Sequence, residues 1–155
     1  EISECLVGSE MCIRDRNQGF ANWFSIQFQE EQAHATIFMK YVLSCGGKVT
    51  LAPIAGVKTE WKSPLEAFED TLAHERKVTA LIHGLCVLAD EEKDFGTANM
   101  LKWFVDEQIE EEANAQELID SLKMIKDNGF GLYMLDKELK ARVYTTPAPL
   151  ATSAE

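Results

Sequence analysis

The chain has 155 residues, 46% hydrophobic and 26% charged, which suits one folded domain with a sizeable core and excludes a disordered chain. Its 26 acidic and 15 basic residues give a formal net charge of -11, which argues against nucleic acid or an anionic membrane surface as partner and allows cations as cargo. No apolar run approaches the roughly 20 residues of a bilayer span, no signal-peptide pattern is present, and Cys5, Cys12, Cys45 and Cys86 form no C-x-x-C pair, so a cytoplasmic location is expected.

Residues 1-16, EISECLVGSEMCIRDR, carry no clean helical stripe, and VGSEMCIRDR resembles translated sequencing-adapter sequence. This segment is read as non-native. Its four acidic and two basic residues supply only -2 of the charge, so the acidity belongs to the remainder. Helical periodicity then runs from about Gly19 to Ser44 and stops at Gly46-Gly47. About 17 residues follow, GKVTLAPIAGVKTEWKS, with no helical pattern, and read as a long crossover.

A second helix opens at Ser63-Pro64-Leu65-Glu66, where Ser63 caps the first amides, Pro64 suits the first helical position and Glu66 completes a capping box. It extends to about Asp90. A third helix runs from about Thr97 to Lys126, ended by Asp127-Asn128-Gly129, and a short fourth covers roughly Leu132 to Arg142. The tail VYTTPAPLATSAE, with two prolines and little apolar content, reads as irregular. The division is therefore 1-16 non-native, 17-143 a helical domain and 144-155 tail. A crossover long enough to run the length of a bundle points to an all-α four-helix arrangement with one crossover.

Three rows at three-and-four spacing mark the inward helix faces: Phe24, Phe28, Glu31, Ala35, Phe38, Val42; Phe68, Leu72, Glu75, Ile82, Ala89; and Leu101, Phe104, Gln108, Glu111, Ala115, Leu118, Leu122. Each contains a carboxylate where a core should be. A carboxylate is almost never fully buried unless it is paired or holds a metal, so the rows call for a cation between helices. Glu31-Gln32-Ala33-His34 adds an E-x-x-H motif, whose spacing puts carboxylate and imidazole on one face. Alone, that motif is more often a charged surface, and EQIEEEAN is more often a solvated acidic face, a reading that suits Glu112 well. Glu75 could instead pair with Arg76 or Lys77, although immediate neighbours point elsewhere on a helix. Together the carboxylates, amide and imidazole form an oxygen-rich donor set that suits iron or manganese more than structural zinc.

From about Gly19 to Arg142, the stretches GFANWF, EEQAHA, SPLEAFEDTLAHE, LKWFVDEQIEEEANAQELIDSL and GLYMLDKEL resemble the bacterial non-haem ferritins. The resemblance implies a ferritin-like four-helix bundle with a short fifth helix and a hollow homo-oligomeric shell of twenty-four subunits. It also implies ferroxidase activity: ferrous iron oxidised by dioxygen at a di-iron centre, with ferric mineral stored inside. By that resemblance Glu31 is the bridging carboxylate, His34 the histidine of the first iron, and Glu75 and Gln108 lie on the side of the second. Glu30, Glu107, Glu110 and Glu111 fall where bacterial ferritins bind an accessory iron. Gln32 stands where bacterioferritins carry a haem-ligating Met, so no haem is expected. Bacterioferritin-like or rubrerythrin-like di-iron proteins are the nearest alternatives, and a non-catalytic bundle with a hydrogen-bonded polar core is the alternative of a different class. The family's first helix supplies a further iron-binding glutamate and a tyrosine. Counting back from Glu31 places them outside this sequence, which predicts an incomplete centre and an uncovered apolar face.

Overall fold

The computed structural model describes residues 17-53, 56 and 58-151, so the segment 1-16 read as non-native lies outside the described residues. Five helices are present among them: α1 (Gln18–Ser44), α2 (Pro64–Glu91), α3 (Phe95–Ile125), α4 (Gly129–Leu139) and α5 (Ala148–Ala151). They fall into two compact units, one holding α1, α4 and α5, the other α2 and α3.

The α2–α3 unit is a helical hairpin built on the two rows seen in the sequence. Phe68 and Leu101 are fully buried, and every other member of both rows, including Glu75, Gln108 and Glu111, is buried as well. The helix starts follow from their caps. Ser63 accepts the Glu66 amide at 3.2 Å, while Glu66 reaches back to the Lys62 amide at 2.7 Å, one residue before the position a standard capping box uses. Asp94 caps α3 by accepting from the amide and the hydroxyl of Thr97. Between the helices the chain turns in three residues. Lys93 adopts φ 56°, its amide bonds Asp90 O at 3.1 Å, and the Asp94 amide bonds Ala89 O at 2.8 Å. These two bonds make a Schellman ending whose left-handed position is filled by lysine instead of glycine. The sequence EEKDFG leads one to expect a short turn here, and it is closed at Lys93 in place of a glycine.

In the other unit α1 ends in the same manner with the expected residue, Gly46 at φ 77°, its amide on Leu43 O and the Gly47 amide on Val42 O. Residues 47-53 and 58-61 of the crossover contain neither helix nor strand, as their composition predicts. The buried stripe of α1 differs from the predicted row. Phe20, Trp23, Phe24, Gln27, His34 and Ile37 are buried, whereas Phe28, Glu31, Phe38 and Val42 are half-buried and Ala35 is exposed. The row of apolar letters therefore runs along the edge of the stripe, because Gln27, a polar residue at its centre, is fully buried.

α4 packs on the start of α1. Asp136 Oδ1 accepts the amides of Gly19 at 2.7 Å and Phe20 at 3.1 Å, two of the four that a helix start leaves without intrahelical partners. Asn22 Nδ2 returns the favour to the end of α4, donating to Leu139 O at 3.1 Å and Arg142 O at 2.9 Å. The backbones meet so closely that a Cβ at residue 19 would lie 1.6 Å from Asp136 O. α4 begins at Gly129, three residues before the sequence expectation. The tail holds one unexpected turn of helix, α5, closed by Leu150 and Ala151 amides on Pro147 O.

Candidate metal centre

In the hairpin unit Glu75 and Gln108 come together. Glu75 is 1% exposed in the helix seam, where Phe68, Leu72, Leu101 and Phe104 are buried along with Gln108 and Glu111 and an uncompensated charge is costly. Gln108 Nε2 donates to Glu75 Oε2 at 3.2 Å and to the Glu75 carbonyl at 3.3 Å, and lies 3.4 Å from Thr79 Oγ1. On α3, Glu111, about one turn after Gln108, is buried, Glu107, the residue before Gln108, is half-buried, and Glu110 is exposed. The third helix thus separates its acidic run by face, as the spacing predicts.

In the α1 unit the E-x-x-H motif forms a pair. His34 is buried and its Nδ1 lies 3.4 Å from Glu31 Oε1. A ring nitrogen and a carboxylate oxygen this close on one helix face can both be ligands of one cation. Glu30 takes a different partner. Its Oε2 is 2.6 Å from Arg142 Nη2, and Arg142 Nη1 donates to Gln27 Oε1 at 3.2 Å and to Trp23 O at 3.3 Å. The guanidinium also lies 5.0 Å from the centre of the Trp23 ring, a cation–π distance.

Four participants escaped sequence reasoning. Arg142 and Gln27 join Trp23 and Glu30 into one cluster, and the spacing Trp23, Gln27, Glu30, His34 is itself a helix face that apolar scanning skips. Thr79 and Glu112 sit one turn after Glu75 and Gln108. Glu112, read as a solvated charge, is half-buried and accepts the Thr79 hydroxyl at 2.6 Å. Taken separately, the hairpin unit offers the buried carboxylates Glu75 and Glu111 with the Gln108 amide, and the α1 unit offers the Glu31 carboxylate beside the His34 imidazole, donor types that suit a hard divalent or trivalent cation. Cys45 and Cys86 are free thiols and lie outside both groups.

Comparison with known proteins agrees with this donor chemistry. A family model described as a ferritin-like domain matches residues 6–125. The bacterial non-haem ferritin of Staphylococcus saprophyticus is 41% identical over 133 residues, 86% of this chain and 80% of its own length; that of Staphylococcus epidermidis is 40% identical over the same shares. Among solved structures, an open-pore ferritin from the hyperthermophilic archaeon Archaeoglobus fulgidus is similar with a TM-score of 0.90 and 40% identity, covering 92% of this chain and 88% of that one. A closed form of the same archaeal ferritin, made by site-directed mutagenesis, gives 0.91. An all-α chain whose long helices each bury a polar donor among apolar residues, and which is about two fifths identical to these proteins over the matched residues, belongs to the ferritin family.

Proposed function

We propose that the protein is a cytoplasmic iron-storage ferritin that oxidises ferrous iron and holds the ferric product as mineral inside a hollow homo-oligomeric shell. In this reading Glu31 and His34 of α1 and Glu75 and Gln108 of the hairpin serve a di-iron ferroxidase centre, Glu31 as the bridging carboxylate, with Glu107 and Glu111 as further carboxylates. Iron is here both substrate and cargo. Two ferrous ions give one electron each to dioxygen, which takes up two protons and leaves as peroxide, so the charges balance. Carboxylates favour the ferric product because hard anionic oxygen stabilises the higher charge. An amide such as Gln108, neutral and a weaker donor, favours release of the oxidised ion.

The observation that carries this reading is the burial of the Glu75 carboxylate, hydrogen-bonded to Gln108 and with Glu111 buried on the facing row. A second reading, a non-catalytic bundle whose polar groups merely bond one another, draws on the same Gln108–Glu75 contact. Aerobic addition of ferrous iron, followed by near-ultraviolet ferric absorbance, separates the two. The ferroxidase reading expects rapid growth of the signal, slowed by about tenfold or more in Glu75→Ala and in Glu31→Ala. Growth no faster than in protein-free buffer, or wild-type rates in both variants, would leave only the non-catalytic bundle.

A further inference from the structure

The contact between Thr79 and Glu112 has a direction. A threonine hydroxyl carries one hydrogen and two acceptor lone pairs, whereas a carboxylate at neutral pH only accepts. At 2.6 Å, against 3.0 Å to the Glu75 carbonyl, the Thr79 hydrogen goes to Glu112 Oε1. Arg76 Nε lies 3.6 Å from Glu112 Oε2, the other oxygen of the same carboxylate. The hydroxyl oxygen is left to accept, and Gln108 Nε2 at 3.4 Å is the donor turned toward it. Donation therefore runs from Gln108 to Thr79 to Glu112.

This polarity matters because the two orientations of a glutamine amide have nearly the same shape, and only hydrogen bonds choose between them. Reversed, the amide would set its oxygen against Glu75 Oε2, the Glu75 carbonyl and the Thr79 hydroxyl oxygen. That places acceptor against acceptor in a buried site, an arrangement with a full desolvation penalty. A hard cation takes the amide oxygen and has no use for the NH2 group.

We propose that Thr79, held by Glu112, is a positioning residue that locks the Gln108 amide with Nε2 toward Glu75, so that Gln108 presents only its carbonyl oxygen to a cation bound beside Glu75. The inference rests on the ferroxidase reading of that site. It gives Glu112 a task within the third helix distinct from ligation, and makes Thr79 the link between a half-exposed ion pair and a buried donor.

The test is titration of the full-length protein with Co(II), followed by its visible absorption bands, whose intensity reports the donor atoms. Thr79→Val, nearly isosteric but without the hydroxyl, should weaken one class of cobalt site by about tenfold or more and change its bands, while Thr79→Ser keeps both near wild type. Thr79→Ala repeats the test should the valine variant not fold. In a Gln108→Glu background both terminal atoms are oxygens, so orientation no longer matters and adding Thr79→Val should change cobalt affinity little. Equal affinity and bands in wild type and Thr79→Val, or an equal loss in the Gln108→Glu background, would overturn the positioning role. Failure of the wild type to bind cobalt at all would instead overturn the ferroxidase reading on which it stands.

Discussion

Replacing Gly19 with alanine should destabilise the α1–α4 unit, against the usual benefit of that substitution in a helix. Alanine gains about 0.5–1 kcal/mol over glycine from the smaller entropy loss of its backbone. At residue 19, however, the new Cβ would lie 1.6 Å from Asp136 O, 2.5 Å from its carbonyl carbon and 2.9 Å from its Cα, all backbone atoms that cannot rotate aside. Restoring a contact of about 3.5 Å requires α4 to retreat by roughly 2 Å. That movement breaks the bonds from the Gly19 and Phe20 amides to Asp136 Oδ1. Hydrogen bonds to a charged group are worth about 1.5–3 kcal/mol each, and part of this pair is recovered by water, so the loss is about 3 kcal/mol. The net effect is about 2 kcal/mol of destabilisation. Urea unfolding followed by helical circular dichroism gives the total, and amide exchange at residues 19-24 locates it. Gly84 supplies the control. It lies within α2, is exposed, and has no heavy atom within 4 Å of its built Cβ, so Gly84→Ala should raise stability by about 0.5–1 kcal/mol. If Gly19→Ala stabilises as much as Gly84→Ala, the close approach of the two backbones is wrong.

Three further outcomes are expected. Ser63→Ala removes the acceptor of the Glu66 amide and should cost about 1 kcal/mol, read as a lower urea midpoint with unchanged slope. Lys93→Gly relieves a left-handed lysine and should stabilise the hairpin by roughly 0.5–1 kcal/mol; a loss of that size in the same assay would refute the assigned turn. The Thr97 hydroxyl, then its amide, hold the Asp94 carboxyl below its ordinary value of 3.8. A depressed carboxyl stabilises the fold above its unfolded value, and that contribution fades as pH falls from about the ordinary value through the folded one. Asp94→Asn should therefore flatten the acid limb of the stability profile below the ordinary carboxylate range, and a limb identical to wild type would remove the cap from the explanation.

The hairpin was legible residue by residue. Each of the two rows read from spacing is buried along its length, because two long helices facing one another bury one narrow stripe apiece, and a narrow stripe is what periodicity detects. The inward places of Glu75, Gln108 and Glu111 followed from the same pattern. α1 was less legible, since its buried stripe is completed by Gln27, whose burial depends on an arginine more than a hundred positions away. Scanning for apolar letters cannot see a polar residue satisfied by so remote a partner. The same blindness hid the engagement of Glu30 by Arg142 and of Glu112 by Thr79. The short turn of EEKDFG was legible, but its left-handed lysine was not, and α5 is a single turn beside a proline, too short to show a period.

The bonds that join α1 to the segment after α3 also set an order of events in the life of the chain. Glu30 meets Arg142 across 112 residues, and Gln18 meets Lys140 across 122. Closing such distances costs loop entropy that no local contact repays, whereas α2 and α3 are joined by a three-residue turn and can zip at once. During synthesis the hairpin is free to form while α1 waits, its aromatic face without the residues that cover its first turns, until position 142 has been made. Pulse-labelled exchange should accordingly find the amides of α2 and α3 protected before those of residues 18-24. The segment from Asp136 to Arg142 is thus the timing element for the beginning of the chain, and a nascent protein stalled before Arg142 would hold a finished hairpin beside an unsettled helix.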